Sequence, residues 1–372
     1  MKNRCEGCGA KVQTIDPNKP GFIRSEVYLK NPDNFLCERC FNLTHYNKLN
    51  DVLIDEEHFV RCIESIKDTT GLVVNIVDGF DLEGTLIENI NDLFPKAKVL
   101  LVVNKFDLFL SSTKPTKIKT YISNYIRGKI NAKEICVISG KKEDDVRYLI
   151  KKIDSHLDRD ESKTQDIYFV GAANVGKSTI MTSVLRLLTG KAQSITISNI
   201  PGTTLDVVKI KIQDKVFAYD TPGIINKHQF TYYLNKDTLN HIIPKKYIKP
   251  KTYQLLPEQA LLVGNFLTII FEKGERINFT LTFANDILVH RTKMTNYQNI
   301  KENHHTDILK LPTIEEMNKI YEVCEDKTET FEIDGKVEIA ISGLGFFSAV
   351  GKGTVKVVLP SVIKVSLREA LI

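Results

Sequence analysis

The chain has no run long and apolar enough to cross a bilayer. The longest, Ala260 to Phe271, is broken by Gly264 and Asn265 and falls short of the about 20 residues a spanning helix needs, so it reads as a core strand or helix. No membrane partner is expected. An apolar segment is also missing behind the charges of Met1-Lys2-Asn3-Arg4-Cys5, so the middle region of a secretion signal is lacking and a cytoplasmic location is expected. Internal repeats and low-complexity tracts are absent. Charge of one sign is in little excess: the net value of +5 over 372 residues gives no reason to expect DNA. A reducing compartment together with an odd count of seven cysteines argues against disulfides.

What is present is the composition of a folded chain, 42% hydrophobic and 26% charged, long enough for two or three cores. The first 50 or so residues are rich in Cys, Pro, Gly and Asn without helical period, as in a small metal-organised unit. From about Asp55 short β-branched runs alternate with helix-length amphipathic stretches, which predicts an α/β fold on a mostly parallel sheet. The strand runs are Leu72 to Val77, Val99 to Val103, Ile135 to Ile138 and Ile167 to Val170, separated by helices predicted over Leu86 to Leu93, Pro115 to Arg127 and Asp144 to Leu157. From about Gln259 alternating runs dominate (Leu261 to Phe271, Asn278 to Phe283, Glu332 to Ile341, Gly353 to Leu359), with a helix near Ile314 to Val323. Expected domains are thus 1–50, 51–230 and a β-rich α+β domain at 231–372.

Four cysteines fall into two tight pairs, Cys5-x₂-Cys8 and Cys37-x₂-Cys40. Four thiolates at this spacing suit tetrahedral Zn²⁺ with no open position, hence a structural site. A redox CxxC is the rival reading, disfavoured because neither pair lies beside a βαβ pattern.

Gly171-Ala172-Ala173-Asn174-Val175-Gly176-Lys177-Ser178 fits GxxxxGK[ST], follows the run Ile167 to Val170 and opens a helix-like stretch, Thr179 to Leu188. In such a loop the backbone N–H groups from Gly171 through Asn174, Val175 and Gly176 to Thr179 turn toward phosphate oxygens. Lys177 reaches the outer phosphates and the Ser178 hydroxyl takes Mg²⁺. A chance glycine turn is the plain alternative, but the strand-loop-helix context is what the motif requires.

A P-loop alone does not choose the base. Asn104-Lys105-Phe106-Asp107 ends the run Val99 to Val103, where open α/β sheets bind ligands, and the Asp107 carboxylate can accept from the two adjacent N–H donors on the guanine edge. Adenine lacks that donor pair. Ser139-Gly140-Lys141, after Ile135 to Ile138, can offer a backbone N–H to the guanine carbonyl, with Gly140 allowing close approach. Asp220-Thr221-Pro222-Gly223 fits DxxG: Asp220 holds Mg²⁺ through water and the Gly223 N–H senses the γ-phosphate. Pro201-Gly202-Thr203-Thr204 supplies a hydroxyl for the same metal, from Thr203 or Thr204.

Together these motifs resemble the translation-factor-related GTPases, with the two base-reading motifs moved ahead of the P-loop. This is a circular permutation: NKxD, SGK, P-loop, PGTT, DxxG. The cut is expected after the helix that follows Gly223 and before Leu72, and it wires the γ-phosphate-sensing segment into the C-terminal region. With the cysteine module and the β-rich tail, the order is similar to that of the YqeH-type circularly permuted GTPases of bacteria. That resemblance implies GTP and GDP as ligands, the small ribosomal subunit or its precursor and rRNA as partners, and Thr204 as the metal-binding threonine. It extends to Phe41-Asn42-Leu43-Thr44-His45-Tyr46-Asn47, where RNA or protein contact by Arg39, His45 and Tyr46 competes with simple packing on the knuckle. Lysines 227, 236, 245, 246, 249 and 251, against only Asp237, form a patch for an anionic partner or a solvated face. A GTP-regulated protein-docking switch without RNA contact is the second function class. A nucleotide-dependent metal chaperone is the third, disfavoured by closed Cys₄ spacing.

The catalytic set is expected to be Lys177, Thr204, Gly223 and Asn174. Ras-like enzymes place a water-orienting Gln directly after DxxG, but Ile224 stands there, so intrinsic turnover is expected to be slow. By resemblance to GTPases with Asn at the fourth P-loop position, Asn174 helps hold a K⁺ beside the phosphates. Capping of the loop is the simpler role. GTP turnover is expected to be faster in KCl than in NaCl; equal rates in the two salts count against the ion.

Overall fold

The computed structural model describes residues 3–17, 19–32, 35–46, 53–54, 56–109, 113–158, 160, 162–189, 197–198 and 207–370. They form two compact units: Met1–Phe106 with Pro115–Ile225, and Asp107–Lys114 with Asn226–Ile372.

Strands of the first unit are β1 (Leu53–Ile54), β2 (Leu72–Asp78), β3 (Lys98–Asn104), β4 (Glu134–Val137), β5 (Gln165–Gly171), β6 (Ile197–Ser198), β7 (Val208–Gln213), β8 (Val216–Asp220) and β9 (Gly223–Ile224). The main sheet runs β4-β3-β2-β5-β8-β7-β6, parallel from β4 to β8 and antiparallel beyond. β2 is buried at every position, as a strand covered on both faces must be. One face packs Val74, Ile76, Leu100, Val102 and Phe169 against Val146, Leu149 and Ile153 of the helix Glu143–His156 and Ile180, Met181 and Val184 of Lys177–Thr189. Alternation sends Val73, Val77, Leu101 and Val103 to the other face, where they are also buried.

The cysteine region is part of this unit. Ala10, Ile23, Phe35 and Leu43 join the same apolar core as β2, β3 and β5, and its helix Glu38–Tyr46 starts directly after Cys37.

Two local expectations need correction. The helix predicted over Leu86 to Leu93 is two single turns, Leu82–Thr85 and Ile90–Leu93, because the chain leaves helical conformation at Leu86 (ψ 127°). Thr85 explains the stop: its hydroxyl donates to the Asp81 carbonyl (2.6 Å) and accepts from the Asp78 N–H (3.0 Å), locking a turn against the strand end. The cut of the permutation also lies earlier than expected. The segment before β2 holds its own helix, Glu56–Glu64, with Phe59, Cys62 and Ile63 buried, and β1 ahead of it pairs with β9 at Gly223. The helix after Gly223, Phe230–Tyr233, instead belongs to the second unit, where Phe230 sits in the core.

Strands of the second unit are β10 (Lys251–Leu255), β11 (Gln259–Val263), β12 (Leu267–Gly274), β13 (Ile277–Phe283), β14 (Val289–Lys293), β15 (Asp326–Ile341), β16 (Gly345–Pro360) and β17 (Val365–Glu369). The run Ala260 to Phe271 is thus a hairpin, turned at the Gly264-Asn265 interruption. Antiparallel order is β10-β13-β16-β12-β11-β14, with β15 against β16 along its length and β17 beyond it. Phe266, Phe271, Phe279 and Phe347 fill the core, and the helix Ile314–Tyr321 begins on a capping box between Thr313 and Glu316.

A polar residue lies inside an interior strand of the first unit. Asn75, in the middle of β2, is fully buried, and neither atom of its amide finds a hydrogen-bond partner among the described residues. A buried amide in that state costs about 1–3 kcal/mol. Asn75→Val is therefore expected to raise unfolding stability by about 1–2 kcal/mol in urea titration. A lowered midpoint would show that the amide is satisfied in solution.

Candidate functional site

Parallel pairing sets the carboxyl ends of β2, β3, β4, β5 and β8 along one edge of the sheet, where Asp78, Asn104, Ser139, Gly171 and Asp220 sit. At that edge the loop after β5 takes positive φ at Asn174 (62°) and Gly176 (88°), turning the backbone toward the start of the helix Lys177–Thr189. Asn tolerates this region better than other side-chain-bearing residues, so the backbone alone explains an Asn at position 174.

Asn104 links three of the motifs. Its Nδ2 donates to the Val175 carbonyl at 2.8 Å, and its Oδ1 accepts from the Gly140 N–H, also at 2.8 Å. Closeness dictates the glycines: a Cβ at Gly176 would lie 2.4 Å from Asn104 Nδ2, and one at Gly140 would lie 2.7 Å from Ile180 Cγ1. The Ser139 N–H is capped by Asp145 Oδ2 (2.7 Å), and the Ser183 hydroxyl donates to the Gly140 carbonyl (3.1 Å), which fixes the SGK turn to two helices. Lys141 N–H reaches Ser139 Oγ at 3.4 Å. Lys105, at φ 66°, pairs through Nζ with Asp78 Oδ2 at 2.5 Å, a partner that the motif alone does not reveal. Asp107 lies in the short turn Phe106–Leu108, at the head of the segment that clusters with the second unit.

At the end of the P-loop and of β8, Lys177, Ser178 and Asp220 are buried and Thr179 is exposed. Lys177 Nζ pairs with Asp220 Oδ1, and Arg39 Nη2 pairs with Asp220 Oδ2. Burial opposes the charge of Asp220, but Lys177 and then Arg39 hold its carboxyl below the usual range. Burial likewise opposes the Arg39 cation, but Asp220 together with the sulfurs of Cys8 and Cys40 keeps the guanidinium above its ordinary value. Gly223 and Ile224 run beside the P-loop: the Ala173 N–H donates to the Ile224 carbonyl at 2.7 Å. Ile224 therefore supplies backbone, not a water-orienting group. Thr203 and Thr204 lie outside the described residues.

The buried sulfurs of Cys5, Cys8, Cys37 and Cys40 lie within 4.8 Å of one another, with Cys8 Sγ 3.6 Å from Cys37 Sγ. Tetrahedral Zn²⁺ with bonds of about 2.3 Å holds sulfurs about 3.8 Å apart, so this donor set fits it. The Cys37 N–H donates to Cys5 Sγ (3.1 Å), and hydrogen bonds with Cys37, Cys40 and Cys8 hold the Cys5 thiol well below its ordinary range. Cys62, Cys136 and Cys324 stand apart from this group. Arg39, expected to face RNA, a protein or the knuckle, is buried, pairs with Asp220 and also feels the sulfurs of Cys8 and Cys40. The side chains of His45 and Tyr46 lie outside the described ones.

Residues 276–371 match the family model described as YqeH-like, C-terminal, and residues 166–262 match the one described as 50S ribosome-binding GTPase. An uncharacterized protein YqeH of Bacillus subtilis is 35% identical over 92% of this chain and 91% of its own length. The chain belongs to the YqeH-like family of circularly permuted GTPases. Membership in the YqeH-like family makes it a GTP-binding protein of the GTPase class. The chloroplastic GTP-binding protein Brassinazole Insensitive Pale Green 2 of Arabidopsis thaliana is 24% identical over 97% of this chain, which spans 60% of that relative. GTPase Der of Buchnera aphidicola is 29% identical over 68% of this chain and 49% of its own. The crystal structure of YjeQ from Thermotoga maritima aligns with 44% of this YqeH-like chain and 52% of its own at 16% identity and a TM-score of 0.27, too low to bear on the fold.

Asn104→Ala removes two buried hydrogen bonds that hold the P-loop and SGK turn in register. Affinity for a fluorescent GDP analogue is expected to fall by roughly ten- to a hundred-fold while the thermal transition stays cooperative. Wild-type affinity would show that the loops hold their places without it.

Proposed function

We propose that the chain is a GTP-driven switch acting on the small ribosomal subunit or its precursor, in contact with rRNA. The observation that carries the nucleotide half is the Asn104 amide, which places the loop that would bind phosphates beside the turn that would bind the base. In this reading Asn104, Lys105, Asp107, Ser139, Gly140 and Lys141 hold guanine. Gly171 and Asn174 through Thr179 hold the phosphates, and Ser178, Asp220 and Thr204 hold Mg²⁺. Lys177 and the Gly223 N–H act on the γ-phosphate. Zn²⁺ on the four cysteines is structural in this reading, and metal analysis of the purified protein is expected to find one ion per chain. K⁺ beside Asn174 rests on family resemblance alone.

The ribosomal half is supported by the family, by the exposed lysines 227, 236, 245, 246 and 249, and by the words ribosome-binding in the description of the matching GTPase model. That description names the 50S particle, whereas the resemblance points to the small subunit. Cosedimentation with purified small and large subunits, in a GTP analogue and in GDP across a salt series, separates the readings. Expected is small-subunit binding that prefers the GTP analogue and weakens with salt, as phosphate contacts do. Binding to the large subunit alone would overturn the choice of particle. Binding to neither would favour the protein-docking switch.

A further inference from the structure

Arg39 belongs by sequence to the cysteine region, between Cys37 and Cys40, and by position to the phosphate side of the nucleotide site. Its Nη2 takes one oxygen of Asp220 while Lys177 Nζ takes the other, so a single carboxylate is divided between two buried cations. Arg39 is 6% exposed and Asp220 not at all, so water offers neither of them a ready substitute partner.

The two cations are not equivalent. A P-loop lysine has a second destination, the outer phosphates of a bound nucleotide. Arg39 rides on the helix Glu38–Tyr46, whose start is tied to the sulfur cluster by Cys37 and Cys40 and whose Leu43 is buried in the sheet core. Mg²⁺ takes near-octahedral oxygen ligands, keeps several waters, and repels a guanidinium at the same carboxylate. With a buried cation on each of its oxygens, Asp220 is a weaker partner for the waters of a hydrated Mg²⁺, and the guanidinium competes for the same carboxylate.

We propose that Arg39 is a nucleotide-state-dependent counter-charge lent to the GTP site by the cysteine region: it neutralises Asp220 when Mg²⁺ is absent and gives up Oδ2 when Mg²⁺ and nucleotide enter. The inference rests on the guanine-nucleotide reading above. Because the guanidinium is carried on an anchored helix, giving up Oδ2 shifts the seating of Glu38–Tyr46. Mg²⁺–nucleotide and the cysteine region are then coupled reciprocally, as any two linked sites must be. Arg39 acts here as a positioning residue and does not touch the reacting atoms.

Two measurements on the zinc-loaded chain of 372 residues test this. In the first, Mg²⁺ is titrated against retention of a fluorescent GDP analogue in wild type, Arg39→Lys and Arg39→Ala. With its competitor gone, Arg39→Ala is expected to need roughly ten-fold less Mg²⁺ for half-maximal retention, and Arg39→Lys to fall between. In the second, hydrogen exchange of residues 38–46 in wild type is followed with and without Mg²⁺–GDP, and protection is expected to change. The second needs no variant, so it decides even where Arg39→Ala loses zinc or fails to fold. A wild-type Mg²⁺ requirement in folded, zinc-containing Arg39→Ala, or unchanged exchange over 38–46 in wild type that binds Mg²⁺–GDP, overturns the proposal and leaves the GTP reading standing. Absence of GDP binding by wild type overturns both.

Discussion

One amide side chain holds the candidate nucleotide site together. Asn104 ends β3, donates to the P-loop and accepts from the SGK turn, so three segments distant in sequence share one buried polar hub. Both bonds are shielded from water, where losing a partner is most expensive. The hub also explains local sequence: glycine at 176 and 140 is required because any Cβ there would collide with Asn104 or Ile180. A through-space bond of this kind is indifferent to chain order. That is why rotating the sequence leaves the site intact, since the sheet requires only that β2, β3 and β5 lie side by side.

A second constraint is charge. Asp220 is fully buried and survives as a carboxylate because Lys177 and Arg39 flank it. The arrangement links the fold's smallest part to its most chemical one. The cysteine region shares a core with the sheet and sends a cation to its carboxyl edge, so within the first unit it is not a tethered knuckle.

Much of this was legible in the sequence, for physical reasons that differ by element. β2, β3 and β5 each carry a near-continuous apolar run because both faces are covered, and their ends carry motifs whose residue types are fixed by local backbone needs. The paired cysteines announced their cluster by spacing. Leu86 to Leu93 misled because its apolar spacing is helical, while Thr85 stops the helix by hydrogen bonds that periodicity does not record. The cut lies earlier than the motifs suggest because the helix Glu56–Glu64, ahead of β2, carries no motif, although its Phe59 and Ile63 are core residues. Arg39 was invisible for another reason: its partner is 181 positions away, and nothing around Cys37 and Cys40 says which way the side chain turns. Lys105 with Asp78 is the same case at shorter range.

The strand order has a consequence during synthesis. Chains emerge amino end first, and parts able to fold do so as they appear. β2, β3 and β4 are complete by Val137, and they form one side of the sheet with β2 at its rim. The neighbour that covers this rim is β5, which starts only at Gln165. Until then β2 presents an apolar strand with an unpaired backbone, the kind of edge that recruits strands from other chains. In the unrotated order the P-loop strand is made first, so β5 is already present when β2 emerges and covers this side of it at once. The rotated chain therefore spends part of its own translation with its most buried strand as an open edge.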